Sequence, residues 1–374
     1  MKILKKVLVL TNTIAPYRIP VLNKFNNNKD IDLEVWYLEE REKNRQWKFD
    51  YSEIQYKFEC LKGVHGYIQK MDMGIHFNPG LLWKMIKLNP SIVVTSGYDA
   101  IGYWTALLYC KLFRKKYVVW WGSTLKSSRV QNKWINNLRK LFFKNVDSFV
   151  TYGSDATECL IHYKVDESKI VTGYNTVDIG YFYKKVKSVK PKLNKENVQL
   201  LFIGQLIPRK GLNNIIECLE KIDNKDWELT VVGSGPDEEY LKQKLASSSI
   251  NDKVIFTGYK QKEEVLDLLI KSDCLLFPSI IEVWGLVVNE AISTNTFVLS
   301  SIYAGATRDL IIDEVNGLKF DPLNEHDIVK SLNWVIENKE HVRKYKRLPL
   351  GLWRRIHPYT YAKALELAIK KVLH

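Results

Sequence analysis

Four side chains in the second half of the chain have the types and spacing to bind an anionic, hydroxyl-rich ligand. Arg209 and Lys210 are adjacent cations, and Glu282 and Glu290 are carboxylates with seven residues between them. The cations directly precede Gly211 and an apolar run of 3,4 spacing, which places them at a helix N-terminus. Backbone N–H groups and the helix dipole add to their charge there, and a diphosphate suits such a place. Both acids lie in the stretch CLLFPSIIEVWGLVVNEAISTNTFVLS, residues 274–300, which holds no cation. Carboxylates in apolar surroundings need polar partners, and the hydroxyls of a sugar and a ribose are suitable ones.

Positioning these groups requires strands behind them. The apolar run 274–277 is stopped by Pro278, and a loop, a helix and the apolar run 297–299 follow. One acid then sits in the loop and the other on the helix. Three further loops each follow an apolar run. They are Gly204-Gln205-Leu206-Ile207-Pro208-Arg209-Lys210-Gly211, Gly233-Ser234-Gly235-Pro236 and Thr257-Gly258-Tyr259. The second lacks the third glycine of a dinucleotide fingerprint, so hydride chemistry is not favoured. Taken singly, the first loop reads equally as an anion site or a solvated basic turn, and the other two read as ordinary turns. Their succession carries more weight, because ligands of open α/β sheets bind beyond the carboxyl ends of the strands.

The chain has 374 residues, of which 46% are hydrophobic, enough for two domains with packed cores. In the first half, strands at 6–10, 32–38, 92–95, 117–121 and 148–151 alternate with helices that start near Pro16, at 79, near 100 and at 131. Ser154-Asp155 is expected to cap one more helix. Residues 39–75, rich in charge and aromatics, show no readable pattern. Residues 184–195 hold six lysines and no acid, the composition of a linker. The expected organisation is therefore 1–185 and 186–350, with a last helix over 358–373 packing back so that 357–374 completes the first domain. The expected fold is α/β, two Rossmann-like doubly wound parallel-sheet domains facing a central cleft.

The net charge of +14 suits nucleic acid, an anionic membrane surface or an anionic small substrate. No helix-turn-helix, RNA-binding aromatic or zinc pattern supports the first. The five cysteines are odd in number, lack CxxC spacing and read as reduced, buried thiols. No apolar run approaches the ~20 residues of a membrane span, and the start, MKILKKVLVLTNT, reads as a first strand. An intracellular protein is expected. Asp30-Ile31-Asp32 matches a DxD pattern, but at the entrance of a strand, and no other cluster has ligand spacing, so no metal is expected. The helix over 134–144 mixes cations with an apolar stripe. It reads as a core-facing amphipathic helix or as an interfacial membrane helix, with Lys111, Arg114, Lys115 and Lys116 just upstream.

The ordered set Gly204-x-Leu206 with Arg209-Lys210-Gly211, Gly233-Ser234-Gly235-Pro236, Phe256-Thr257-Gly258 and Glu282-x7-Glu290-Ala291 is preceded by Tyr174-Asn175-Thr176-Val177-Asp178. Together these motifs resemble the retaining, nucleotide-sugar-dependent glycosyltransferases of the two-domain GT-B fold, family 4 (glycosyltransferase group 1), of the bacterial surface-polysaccharide type. The resemblance covers the second domain well and the first loosely. It implies that Arg209 and Lys210 hold the donor diphosphate and stabilise the leaving nucleotide, where charge develops. It implies that Glu282 contacts the transferred sugar, that Glu290 binds the ribose, and that the Trp284, Gly285 and Leu286 backbone lies close to the sugar and the phosphates. Gly204, Gly233 and Gly235 would line the donor loops.

In the first domain, Asn12 to Arg18 (NTIAPYR) follows strand one. By resemblance Tyr17 and Arg18 are acceptor residues, Arg18 for a phosphate. Tyr98 and Asp99 are further acceptor candidates, with a turn role as their alternative. The donor is a substrate, and no cofactor or metal is implied. The implied reaction moves a sugar, with retention, to a glycan or polyprenyl-diphosphate-linked acceptor in cell-surface polysaccharide biosynthesis. The implied location is the cytoplasm, with a peripheral contact on the inner face of the plasma membrane. Three departures stand out. The loop Trp120-Trp121-Gly122-Ser123-Thr124 lacks the histidine common near the reacting sugar. Val283 replaces a common proline, and Asn175-Thr176 replaces Asn-Gly. The rival readings are a non-hydrolysing nucleotide-sugar epimerase, a non-catalytic sugar- or lipid-binding module and a basic nucleic-acid-binding protein.

Overall fold

The computed structural model describes residues 4–42, 50–68, 73–127, 133–188, 195–344 and 349–373. The chain divides into two compact units, residues 1–176 with 357–374, and residues 177–356.

The first unit begins β1 (Lys5–Thr11), α1 (Ile19–Asn26), β2 (Ile31–Tyr37). The stretch without a readable sequence pattern then supplies β3 (Lys57–Cys60) and a hairpin of β4 (Val64–Ile68) and β5 (Met73–Phe77). These strands are short and half-exposed, so neither alternation nor a continuous apolar run marks them. The unit continues with α2 (Leu81–Leu88), β6 (Ile92–Thr95), α3 (Ile101–Leu112), β7 (Lys116–Trp121), α4 (Lys133–Lys144), β8 (Ser148–Thr151), α5 (Ser154–His162) and β9 (Ile170–Thr172). Its seven-stranded sheet runs β3-β2-β1-β6-β7-β8-β9, and every pairing is parallel. Strands covered on both faces must be apolar on both sides, and all four residues of β6 are buried. Contrary to expectation, Ser154 is the first helical residue of α5. The cap position is Gly153, and it offers no side-chain cap.

The second unit opens with α6 (Ile179–Ser188), whose Ile179 and Phe182 are buried. This helix packs on a later helix of the same unit. The division therefore falls at 176/177, ahead of the lysine-rich stretch, and not at 185. There follow β10 (Val198–Ile203), α7 (Leu212–Lys221), β11 (Trp227–Val232), α8 (Glu238–Ala246), β12 (Val254–Phe256), α9 (Lys262–Lys271), β13 (Cys274–Phe277), α10 (Leu286–Ser293), β14 (Phe297–Ser301), α11 (Gly305–Leu310), β15 (Gly317–Phe320), α12 (Glu325–Glu337), α13 (Lys339–Lys344) and α14 (Leu350–Ile356). The sheet order is β12-β11-β10-β13-β14-β15, all parallel. The 3,4-spaced Leu212, Ile215, Ile216 and Leu219 of α7 are buried on it, in a core that also holds Trp227, Phe297 and Leu332.

The last helix, α15 (Pro358–Leu373), packs on α1, β8 and β9 of the first unit. Its Tyr361, Leu365 and Ile369 join Val7, Val35 and Phe25 in one core, while α2 to α5 cover a second core on Leu8, Val93 and Val119. Among the described residues, no helix is long and apolar enough to cross a membrane.

Candidate functional site

Strand order places the second unit's site. The direction of winding reverses between β10 and β13, neighbours in the sheet but 70 residues apart in the chain. The crevice at such a reversal, beyond the carboxyl ends of the strands, is where ligands bind in this architecture. The loop after β10 carries Gly204 to Gly211, and the loop after β13 carries Glu282. The two are tied by the Ile280 N–H, which donates to the Arg209 carbonyl at 2.8 Å.

The glycine loops pack by backbone. Gly233 has φ of +140°, and a Cβ there would stand 1.8 Å from the Gly204 carbonyl oxygen. The Leu206 N–H donates to the Ser234 carbonyl at 3.0 Å, so the loops after β10 and β11 form one surface. Gly233→Ala is expected to cost about 2 kcal/mol or more, from backbone strain and the forced separation of the two loops. A thermal melt of the purified variant checks this.

Arg209 and Lys210 occupy a tight turn, Pro208–Lys210, that leads through Gly211 into α7. Arg209 donates to Gln205 Oε1 at 3.2 Å. Lys210 is paired with Glu282, with only 15% and 16% of the two side chains exposed. Burial alone would raise the Glu282 carboxyl, but the Lys210 ammonium and Arg209 behind it hold it below the ordinary range. Although the sequence near the acids holds no cation, this partner arrives from 72 residues away.

Glu290 lies on α10, half-buried. Burial pushes its carboxyl up to about 7, with Lys262 opposing the shift. Among the described residues its carboxylate oxygens have no hydrogen-bonding partner. Among the described residues, the first acid is neutralised by an ion pair and the second is not.

Trp284 is buried, and its indole N–H donates to Asn289 Oδ1 at 2.8 Å. Its carbonyl accepts from the Ala306 N–H at 3.0 Å. The side chain is an anchor for the loop. Gly285, with φ of +98°, is the cap position of α10, and Leu286 is its first residue. In that first turn the Val288 N–H donates to the Gly285 carbonyl at 3.0 Å, and the Leu286 and Val287 N–H groups precede any carbonyl of the helix that could accept from them.

The first unit places its candidates differently. Its own reversal of winding lies between β1 and β6, and Tyr17, Arg18, Tyr98 and Asp99 follow those two strands. Arg18, however, is 8% exposed. Its guanidinium donates to Thr11 Oγ1 and, at 2.8 Å, to the Tyr152 hydroxyl, and it lies 5.2 Å from the Trp120 ring. Burial works against its charge, but Tyr152, Tyr17 and Tyr103 around it raise its affinity for the proton above the ordinary value. Arg18 is a cation built into the sheet end and not an open phosphate ligand, because the aromatic and hydroxyl groups of β1, β7 and the residues after β8 already surround it. Tyr98 accepts from Arg139 Nε at 2.5 Å and stacks on Trp121, which makes it a packing residue. Tyr17 is half-buried and Asp99 exposed. Asp30 and Asp32 flank the start of β2, and Asp32 pairs with Lys57.

Helix α4 faces the core with one side, as the amphipathic reading expects. Phe142 and Phe143 are buried in the core, while Trp134, Leu138 and Leu141 are exposed. Sequence reasoning missed the Lys210–Glu282 pair and a second group of ionisable residues, Glu39, Glu42, His65 and His76, in the first unit. No local spacing could have signalled either.

Residues 184–348 match the family described as Glycosyl transferases group 1. An uncharacterized glycosyltransferase of Methanocaldococcus jannaschii is 26% identical over 185 residues, 47% of this chain and 47% of that protein. The chain thus matches about half the length of such curated relatives. The structure of Anabaena Alr3699/HepE in complex with UDP has a TM-score of 0.75 at 15% identity, covering 98% of this chain and 99% of that one. The apo lipopolysaccharide outer core galactosyltransferase WaaB has a TM-score of 0.72 at 19% identity, with the same coverage of both chains. The fold is GT-B, two Rossmann-like parallel-sheet domains, and with the match over 184–348 it supports a group 1 glycosyltransferase.

Proposed function

We propose that this chain is a retaining glycosyltransferase of family 4 that takes a sugar from a nucleoside-diphosphate donor bound by the second unit. The reading is carried by the Lys210–Glu282 pair with Arg209 at the ends of β10 and β13, together with Glu290 on the following helix, whose carboxyl is raised by burial. The donor diphosphate would replace Glu282 as the partner of Lys210, with Arg209 on the same phosphates. Glu282, released, would accept from hydroxyls of the transferred sugar, and Glu290 from those of the ribose. The α10 N-terminus adds N–H donors and a favourable dipole.

In the proposed reaction the bond from the sugar anomeric carbon to the diphosphate oxygen breaks and a bond to an acceptor hydroxyl oxygen forms on the same face. The leaving phosphate takes the acceptor proton. Arg209 and Lys210 act where charge develops, so no metal is needed at the diphosphate. The acceptor is a glycan or a polyprenyl-diphosphate-linked saccharide in cell-surface polysaccharide synthesis at the cytoplasmic face of the plasma membrane. The exposed Trp134, Leu138 and Leu141 beside Lys140 and Lys144 and the net charge of +14 support a peripheral membrane contact.

The test is a melting-temperature screen with UDP, GDP, ADP and CMP sugars, since a ligand of the native state raises the midpoint. One nucleotide class is expected to stabilise the protein. A transfer assay with that donor should give a product of retained anomeric configuration, and Mg²⁺ or Mn²⁺ should add nothing. A protein indifferent to every nucleotide sugar would defeat the reading, and turnover of donor without acceptor to an epimeric sugar would replace it with an epimerase.

A further inference from the structure

We propose that Glu39, His65 and His76 of the first unit form a binding site for one divalent transition-metal ion of the zinc class. His65 and His76 are directly opposed on the β4–β5 hairpin. Their Nδ1 atoms are 3.3 Å apart. Glu39, in the turn after β2, brings Oε2 to 3.5 Å from His76 Nδ1. The three donor atoms all lie within 4.8 Å of one another. Ligand atoms about 2.0–2.1 Å from a tetrahedral zinc stand about 3.3–3.4 Å from each other, so the three converge on one point with little adjustment.

The surroundings fit a metal-bound histidine. Such a ring usually directs its other nitrogen at a carboxylate, which fixes its tautomer and orientation. His76 is 3% exposed, and its Nε2 lies 3.5 Å from Glu42 Oε1. Glu42 is itself 7% exposed and accepts from Asn12 Nδ2 at 2.8 Å. Gly74 makes this contact possible. A Cβ there would stand 2.8 Å from His76 Nε2 and 3.3 Å from Glu42 Oε1. The Glu39 N–H donates to the Asn12 carbonyl at 2.9 Å, which fixes the turn that carries the carboxylate. Glu39, Glu42, His65 and Tyr67 line a small pocket beside the three donors.

Two imidazoles and a carboxylate select zinc and its neighbours over Mg²⁺ and Ca²⁺, which take oxygen ligands. The ion would tie the hairpin to the turn after β2, beside Asn12 at the end of β1. The site lies in the first unit and shares no residue with the donor site, so each reading stands or falls alone.

The experiment uses the untagged full chain, stripped with a chelator and titrated with Zn²⁺ by calorimetry against a chromophoric competitor. One ion per chain is expected, with micromolar or tighter affinity and a raised melting temperature. Co²⁺ should give the intense visible bands of a four- or five-coordinate site. His65→Ala and His76→Ala should each weaken binding at least 100-fold, and Glu42→Gln about tenfold. His65→Ala should melt with the metal-free protein, which separates lost binding from lost folding. Absent stoichiometric binding, or a His65→Ala variant with unchanged affinity, overturns the proposal.

Discussion

Replacing Lys210 with Met is expected to lower kcat/KM for sugar transfer by about 100- to 1000-fold, the loss seen when one preorganised group at a developing charge is removed. The same substitution leaves Glu282 without its partner. Removing one member of a fully buried pair costs about 3–5 kcal/mol. The two side chains here keep 15% and 16% exposure, so a loss of about 2 kcal/mol is expected. The double variant Lys210→Met/Glu282→Gln separates the effects. It should recover most of the melting temperature, because the unpaired charge is gone, and none of the transfer rate. A double variant that recovers activity would show that Lys210 serves only to neutralise Glu282.

Glu290→Ala should have the opposite profile. Its carboxyl has no hydrogen-bonding partner among the described residues, so stability should be unchanged or slightly higher. Two hydrogen bonds from ribose hydroxyls to a charged acceptor are worth about 1.5–3 kcal/mol each, so the affinity for the donor nucleotide should fall about 100-fold or more. The wild-type affinity should also depend on pH. Burial raises the free carboxyl to about 7, and the hydroxyls bind its ionised form. Binding therefore expels a proton below pH 7, and affinity should fall as pH falls through that value, toward tenfold per unit. The Glu290→Gln variant should lose this dependence. Calorimetric titrations between pH 5.5 and 8.5 in buffers of different ionisation enthalpy would measure both the slope and the proton released.

The donor-side reading was open to sequence because its parts are local. An apolar strand ending in Gly204, Gly233 or Pro278 announces itself by composition, and the strand ends then share one edge as a consequence of parallel order. The same holds for α7 and α15, whose stripes have helical spacing. The acceptor-side candidates show the limit. Arg18 follows β1 as Arg209 and Lys210 follow β10, and the resemblance implied that it meets an acceptor phosphate. Burial among Thr11, Trp120 and Tyr152 depends on how β7 and β8 lie in the sheet, which no neighbour in the chain reports.

The amino-acid sequence by itself determined the alternation of strands and helices, the placement of Arg209, Lys210, Glu282 and Glu290 after their strands, and the two-domain plan. These follow from short-range periodicity, turn chemistry and chain length. The tertiary structure alone decided which charges meet. It gave Lys210 to Glu282, left Glu290 without an ion pair among the described residues, sealed Arg18 into the first sheet and drew Glu39, His65 and His76 together. Electrostatic and coordination energies depend on distances of a few ångströms, and residues far apart in the chain acquire those distances only when the sheets are assembled.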